Sequence, residues 1–105
     1  MNLDEKEQIM KMIKTQNFVK GYWNENEETK SIKERYKKEY DLLKGLNDKN
    51  VSDDVALTII IIYFIYKEHS ELLTELSRII KKAKLFIKNE TKSTYDDIIK
   101  EIGIK

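Results

Sequence analysis

The run Val55-Ala56-Leu57-Thr58-Ile59-Ile60-Ile61-Ile62-Tyr63-Phe64-Ile65-Tyr66 leaves no face for water, since Thr58 alone lies outside the apolar and aromatic classes. As a helix it is apolar all round, the mark of a segment enclosed by others. Ile59 to Ile62 and the aromatics after them are also strong strand formers, so a buried strand is the rival reading. Three features favour the helix. The run outlasts an ordinary buried strand, it has no Gly or Pro punctuation, and a helix start precedes it. That start is Val51-Ser52-Asp53-Asp54. Ser52 can cap the orphan amides, both Asp residues suit the positive end of the dipole, and Val51 can staple onto Ala56. The run is too short to cross a bilayer, which takes ~20 apolar residues. Met1 to Lys14 interleaves Asp4, Glu5, Lys6 and Glu7 where a signal peptide would be apolar. The expectation is an all-α fold, a compact bundle of about five helices around a central apolar helix at 55–66.

Composition agrees with that reading. A chain of 105 residues is of single-domain length and can bury a core unaided. Pro is absent and Gly occurs 3 times, so helix breakers are scarce. Cys is absent too, which removes disulfides and thiolate metal sites and points to a reducing, cytoplasmic setting. The 20 basic and 19 acidic residues give a net charge of +1, which argues against a dedicated polyanion binder.

Outward from the central run, 3–15 reads as a first helix with Asn2 or Asp4 as cap and Ile9, Met10 and Ile13 on one side. It is short and weakly amphipathic, the character of a frayed domain edge. Gln16 to Asn24 has no helical period yet holds Phe18, Gly21, Tyr22 and the sole Trp, Trp23. These aromatics either plug one end of the bundle or form a partner-binding hot spot. A second helix is expected over 27–44, capped by Asn24 or Asn26, with Ile32, Tyr36, Tyr40 and Leu43 as one stripe and Gly45 as a left-handed C-cap. Asn47 to Asn50 is a polar connector. Ser70 is placed to cap a fourth helix running to Asn89, whose apolar set includes Leu72, Leu73, Leu76, Ile80, Ala83, Phe86 and Ile87. Its other side carries Lys81, Lys84, Lys88 and Lys92, either a solvated face or a patch for an acidic partner. Tyr95, Ile98, Ile99 and Ile102 share the face of a last helix, which docks on its two predecessors. Gly103 ends it and Ile104 can close it.

Signatures of catalysis are missing: the chain has no Gly-rich phosphate loop, no His or Cys ligand set and no nucleophile elbow. His69, the sole histidine, suits a helix C-terminus. Asp53-Asp54 and Asp96-Asp97 fall in first helical turns, where capping electrostatics accounts for them. Arg78 to Lys92 carries six basic residues and one acidic, but a base-reading helix would bring more Arg and a turn motif. Nucleic-acid binding is therefore the weakest alternative.

Four motifs occur in an order similar to that of a known domain. Gln16, Asn17, Gly21, Tyr22 and Trp23 resemble an opening "Q-N-x-x-G-Y/S-W" segment, with one more residue before the Gly. Ala56, Thr58, Tyr63, Phe64 and Ile65 resemble "A-T-x-x-x-L-x-F/Y-I/L", with Leu57 set between Ala and Thr. Lys82, Ala83, Phe86, Ile87 and Lys88 match "x-K-A-x-x-W-I/V-K/R", with Phe in place of Trp. Tyr95 and Ile98 echo a closing "Y-x-x-I/L". Together they resemble the C-terminal interaction domain of proteins with vault-inter-alpha-trypsin and von Willebrand factor A domains, a group that includes the vault poly(ADP-ribose) polymerase. The resemblance covers 16–102 and implies one helical domain over 1–105, with 1–15 a weak N-terminal helix ahead of a family-like core.

It further implies a non-catalytic protein-binding role. The partner would be major vault protein, in a ribonucleoprotein-associated setting, or other domains of a larger parent for which the domain is an internal brace. No cofactor, small-molecule substrate or membrane belongs to it. Candidate partner-binding residues are Tyr22, Trp23, Lys81, Lys84, Lys88 and Lys92.

Overall fold

The computed structural model describes residues 3–46 and 48–103, and the described residues form helices with no strand. In order these are α1 (Leu3–Ile13), α2 (Glu27–Arg35), α3 (Lys37–Lys44), α4 (Asp53–Glu68), α5 (Ser77–Thr91) and α6 (Tyr95–Ile102). A 3-10 turn at Ser70–Leu72 lies between α4 and α5. The Asn2 cap, Asn47 of the connector and the closure by Ile104 fall outside the described residues.

α4 is the expected central helix. Every residue from Val55 to Ile65 is buried, and Tyr66 is the first to reach solvent. Ser52 caps it by accepting from the Val55 amide at 3.2 Å. α2, α3 and α5 all pack on it, which is what an all-round apolar helix requires. α1 is short, as expected, but it is docked rather than peripheral: Ile9, Met12 and Ile13 are buried in the core, while Met10 is only half-covered.

Three further expectations need correction. The single helix over 27–44 is two, broken at Tyr36, whose backbone leaves the helical region at φ −112° and ψ 35°. Its stripe survives, because Ile32, Tyr36, Tyr40 and Leu43 are all buried. Tyr36 turns its ring edge-on to Tyr63 at 5.5 Å and donates its hydroxyl to Glu68, so tertiary packing outweighs local helix propensity here. Gly45 ends α3 at φ −83°, not in the left-handed region.

The third correction concerns Ser70, which caps nothing. The segment from Ser70 to Leu76 is a 3-10 turn followed by further turns, and α5 begins only at Ser77. The cause lies in His69, which is buried with its ring 4.8 Å from Phe64 and its Nδ1 3.4 Å from the Glu71 carboxylate. Leu72 and Leu76 still reach the core from this irregular stretch.

At the other cap positions Asn26 and Thr29 form a reciprocal capping box, and Thr94 caps α6. α6 docks on α3 and α5, and touches α4 through Tyr95 stacked on Tyr66. No helix among the described residues is long and apolar enough to cross a membrane.

Candidate partner-binding site

Residues 14–24 leave α1 and fold into a closed turn. Asn17 organises it: its amide donates to the Tyr22 carbonyl at 2.7 Å, its carbonyl accepts from Gly21, and its Oδ1 accepts from Val19 and Lys20. Gly21 sits at φ +91°, and a Cβ there would come within 2.8 Å of the Lys82 carbonyl oxygen. Both the conformation and the close approach require glycine. The Gln16 side chain donates to the Gly21 and Ile79 carbonyls, fastening the turn to α5.

The two aromatic candidates have different fates. Trp23 is fully buried; its amide donates to Thr58 Oγ1 at 2.9 Å and its indole to the Ile13 carbonyl at 3.2 Å. It plugs the bundle, and no partner can reach it in this fold. Tyr22 is half-buried with its ring 5.0 Å from Phe86. Phe18 and Val19 at the tip of the turn are 86% and 78% exposed, so the apolar surface of this loop belongs to them.

The lysine stripe does not behave as one unit. Lys81 and Lys88 are exposed and have no ion pair among the described residues. Lys84 is committed to its own chain: its ammonium donates to the Tyr66 hydroxyl at 2.7 Å and lies over the Tyr66 and Tyr95 rings at 4.8 and 5.2 Å. Burial, then the neighbouring Tyr66, pushes the Tyr95 hydroxyl pKa upward. Lys92 lies past the end of α5 in the left-handed region at φ 64° as its C-cap, with its ammonium 3.3 Å from the Asn89 carbonyl. Lys82, which the stripe omits, donates to the Phe18 carbonyl and holds its ammonium 5.0 Å from that ring.

Two other places gather polar groups. A depression of about 420 Å³ between α1, α2 and the end of α4 is lined by Gln8, Met12, Arg35, Phe64 and His69, among others. At the start of α4, Asp53 accepts from Lys44 at 2.8 Å and from the Tyr40 hydroxyl at 3.2 Å. These bonds, Lys44 first, hold its carboxyl below the usual range, whereas burial and then the neighbouring Asp53 raise Asp54. Among the described residues no group of three or more His, Cys, Asp or Glu is arranged to hold a metal.

Sequence reasoning named Phe18 only as one of the loop aromatics, and it missed Val19 and Leu85 as exposed apolar residues near the candidate lysines. The signal for Leu85 was present, since its helical neighbours Lys81, Lys82, Lys88 and Asn89 are all polar. Comparison with family models, with curated proteins and with solved structures finds no match for this chain.

Proposed function

We propose that this chain is a non-catalytic protein-protein interaction domain that docks onto major vault protein in the cytoplasm. One observation supports the reading: the residues that carry the sequence resemblance are neighbours in the fold. Trp23 is bonded to Thr58, Tyr22 lies on Phe86, and Gly21 abuts Lys82. Motifs separated along the chain that pair off in this way behave as the signature of one architecture, which is what a shared domain type requires. Of these residues Gly21, Trp23, Thr58 and Phe86 are buried and belong to the scaffold, while Tyr22 and Lys82 keep part of their surface in solvent.

Co-sedimentation of the folded domain with assembled vault shells at low and moderate salt tests the proposal. Pelleting with the shells, weakened as salt rises, is the expected result. A domain that stays in the supernatant at both salt concentrations overturns the vault assignment.

A further inference from the structure

The chain is nearly neutral, yet its charges are unevenly placed. No acidic residue occurs between Glu7 and Glu25, and none between Glu75 and Glu90. The fold packs these two stretches together through the Gln16 bond to Ile79, the Lys82 bond to Phe18, the Tyr22 and Phe86 rings, and the approach of Gly21 to Lys82. Of their cations, Lys14, Lys20, Arg78, Lys81 and Lys88 have no ion pair among the described residues. The ion pairs of the described residues use none of the α5 cations.

Among the described residues, the three most exposed large apolar side chains stand on this same basic face: Phe18 at 86%, Val19 at 78% and Leu85 at 59%. Lys82 links them, touching Phe18 and lying one helical turn from Leu85. Phe18 helps to line an apolar depression of about 310 Å³ together with Ile13, Ile79, Arg78 and Lys82.

We propose that the face built from the 17–22 turn and the outer side of α5 docks an acidic protein segment whose apolar side chains pack against Phe18 and Leu85 and enter the adjoining depression. This rests on the reading of the domain as a protein-interaction module and names the surface and its partner's chemistry. Two observations favour a protein over other polyanions, and a third favours binding at this turn. A knob beside a hole asks for a shaped partner, which a fluid bilayer is not. Only Phe18 among the exposed apolar side chains of this face offers a ring for a base, and Val19 and Leu85 give no second platform on which a strand of bases would stack. The turn is fixed by its own hydrogen bonds, so presenting Phe18 costs little ordering on binding. The unpaired cations supply steering and exclude basic partners.

The test uses the whole 105-residue chain and a labelled synthetic helix with leucines along one face and glutamates elsewhere, followed by fluorescence anisotropy. Phe18→Ser should weaken binding by about thirtyfold, the effect of losing one central anchor. Lys81→Glu with Lys88→Glu should weaken it about tenfold or more, with most of the loss in the association rate. Lys30→Glu with Lys38→Glu alters net charge equally on exposed positions of α2 and α3 and should change binding less than about twofold. All these positions are exposed, and unchanged Trp23 emission certifies the fold of each variant.

A scrambled peptide of the same composition that binds equally well, or a Lys30 and Lys38 variant that loses as much, would reduce the face to bulk charge attraction and overturn the proposal. So would Phe18-dependent binding to vesicles containing phosphatidylserine, or to single-stranded RNA, with none to the peptide. Vault-shell pelleting is scored separately: shells bound normally by the Lys81 and Lys88 variant leave the vault reading intact and move its site elsewhere. Peptide binding without shell pelleting keeps this face and removes the vault.

Discussion

Thr58 is the one polar side chain inside the apolar run, and its hydroxyl is used twice. It donates to the Asp54 carbonyl at 2.6 Å within α4 and accepts the Trp23 amide from the loop at 2.9 Å. Both residues are fully buried, so the bond is sheltered from water and the amide has no alternative solvent partner. Thr58→Val keeps the shape and removes the acceptor, and the orphaned amide should lower unfolding stability by about 1–3 kcal/mol in chemical denaturation. Thr58→Ser, which keeps the hydroxyl, should recover most of that loss. A Val variant as stable as the parent would mean that the loop is held by packing alone. From the sequence Thr58 was legible only as the exception in its run. Its partner lies in a loop with no period to predict where it would dock, so the bond itself was not.

Local grammar identified elements well where one side chain closes its own terminus, and poorly where distant packing decided. The start of α4 is of the first kind: Ser52 caps it, and the two Asp residues occupy the first turn. The break at Tyr36 is of the second, because its ring contact with α4 accompanies it, while the irregular 69–76 stretch goes with the short-range packing of His69 on Phe64; neither segment contains Gly or Pro. The α4 start also sets neighbouring carboxylates against each other. Asp53 has its pKa lowered by Lys44 and Tyr40, so its contribution is fully present above the unfolded carboxylate value of about 3.9 and is lost as pH falls through its lower folded pKa. Asp54 has its pKa raised, so it carries a penalty above its folded pKa that is relieved as pH falls toward that unfolded value. Thermal melts at neutral pH should therefore rank Asp54→Asn at or above the parent and Asp53→Asn below it. Both differences should shrink as the medium is acidified past the carboxylate range. The reverse order at neutral pH would show that dipole compensation at the first turn outweighs the burial of Asp54.

At the scale of the whole molecule, a balanced net charge concealed a sorted one. Composition counts charges, and only the meeting of two acid-free stretches on one face tells where they gather. The core is the opposite case, legible from twelve consecutive letters because an apolar run with no polar face has to be surrounded. Ile61 lies at its middle with no exposed surface. Ile61→Asp would place a carboxylate there with no cation to meet it, at a cost of several kcal/mol against a total stability of ~5–15 kcal/mol. The domain should lose its cooperative melt, and the blue-shifted emission expected of buried Trp23 should move to the red, as on denaturation. Leu85→Asp is the matched control, an aspartate on an equally apolar residue that stands in solvent on α5. Its melting should stay near that of the parent. If Ile61→Asp melted like Leu85→Asp, α4 could not be the enclosed centre of the bundle, and the packing of every other helix would have to be explained without it.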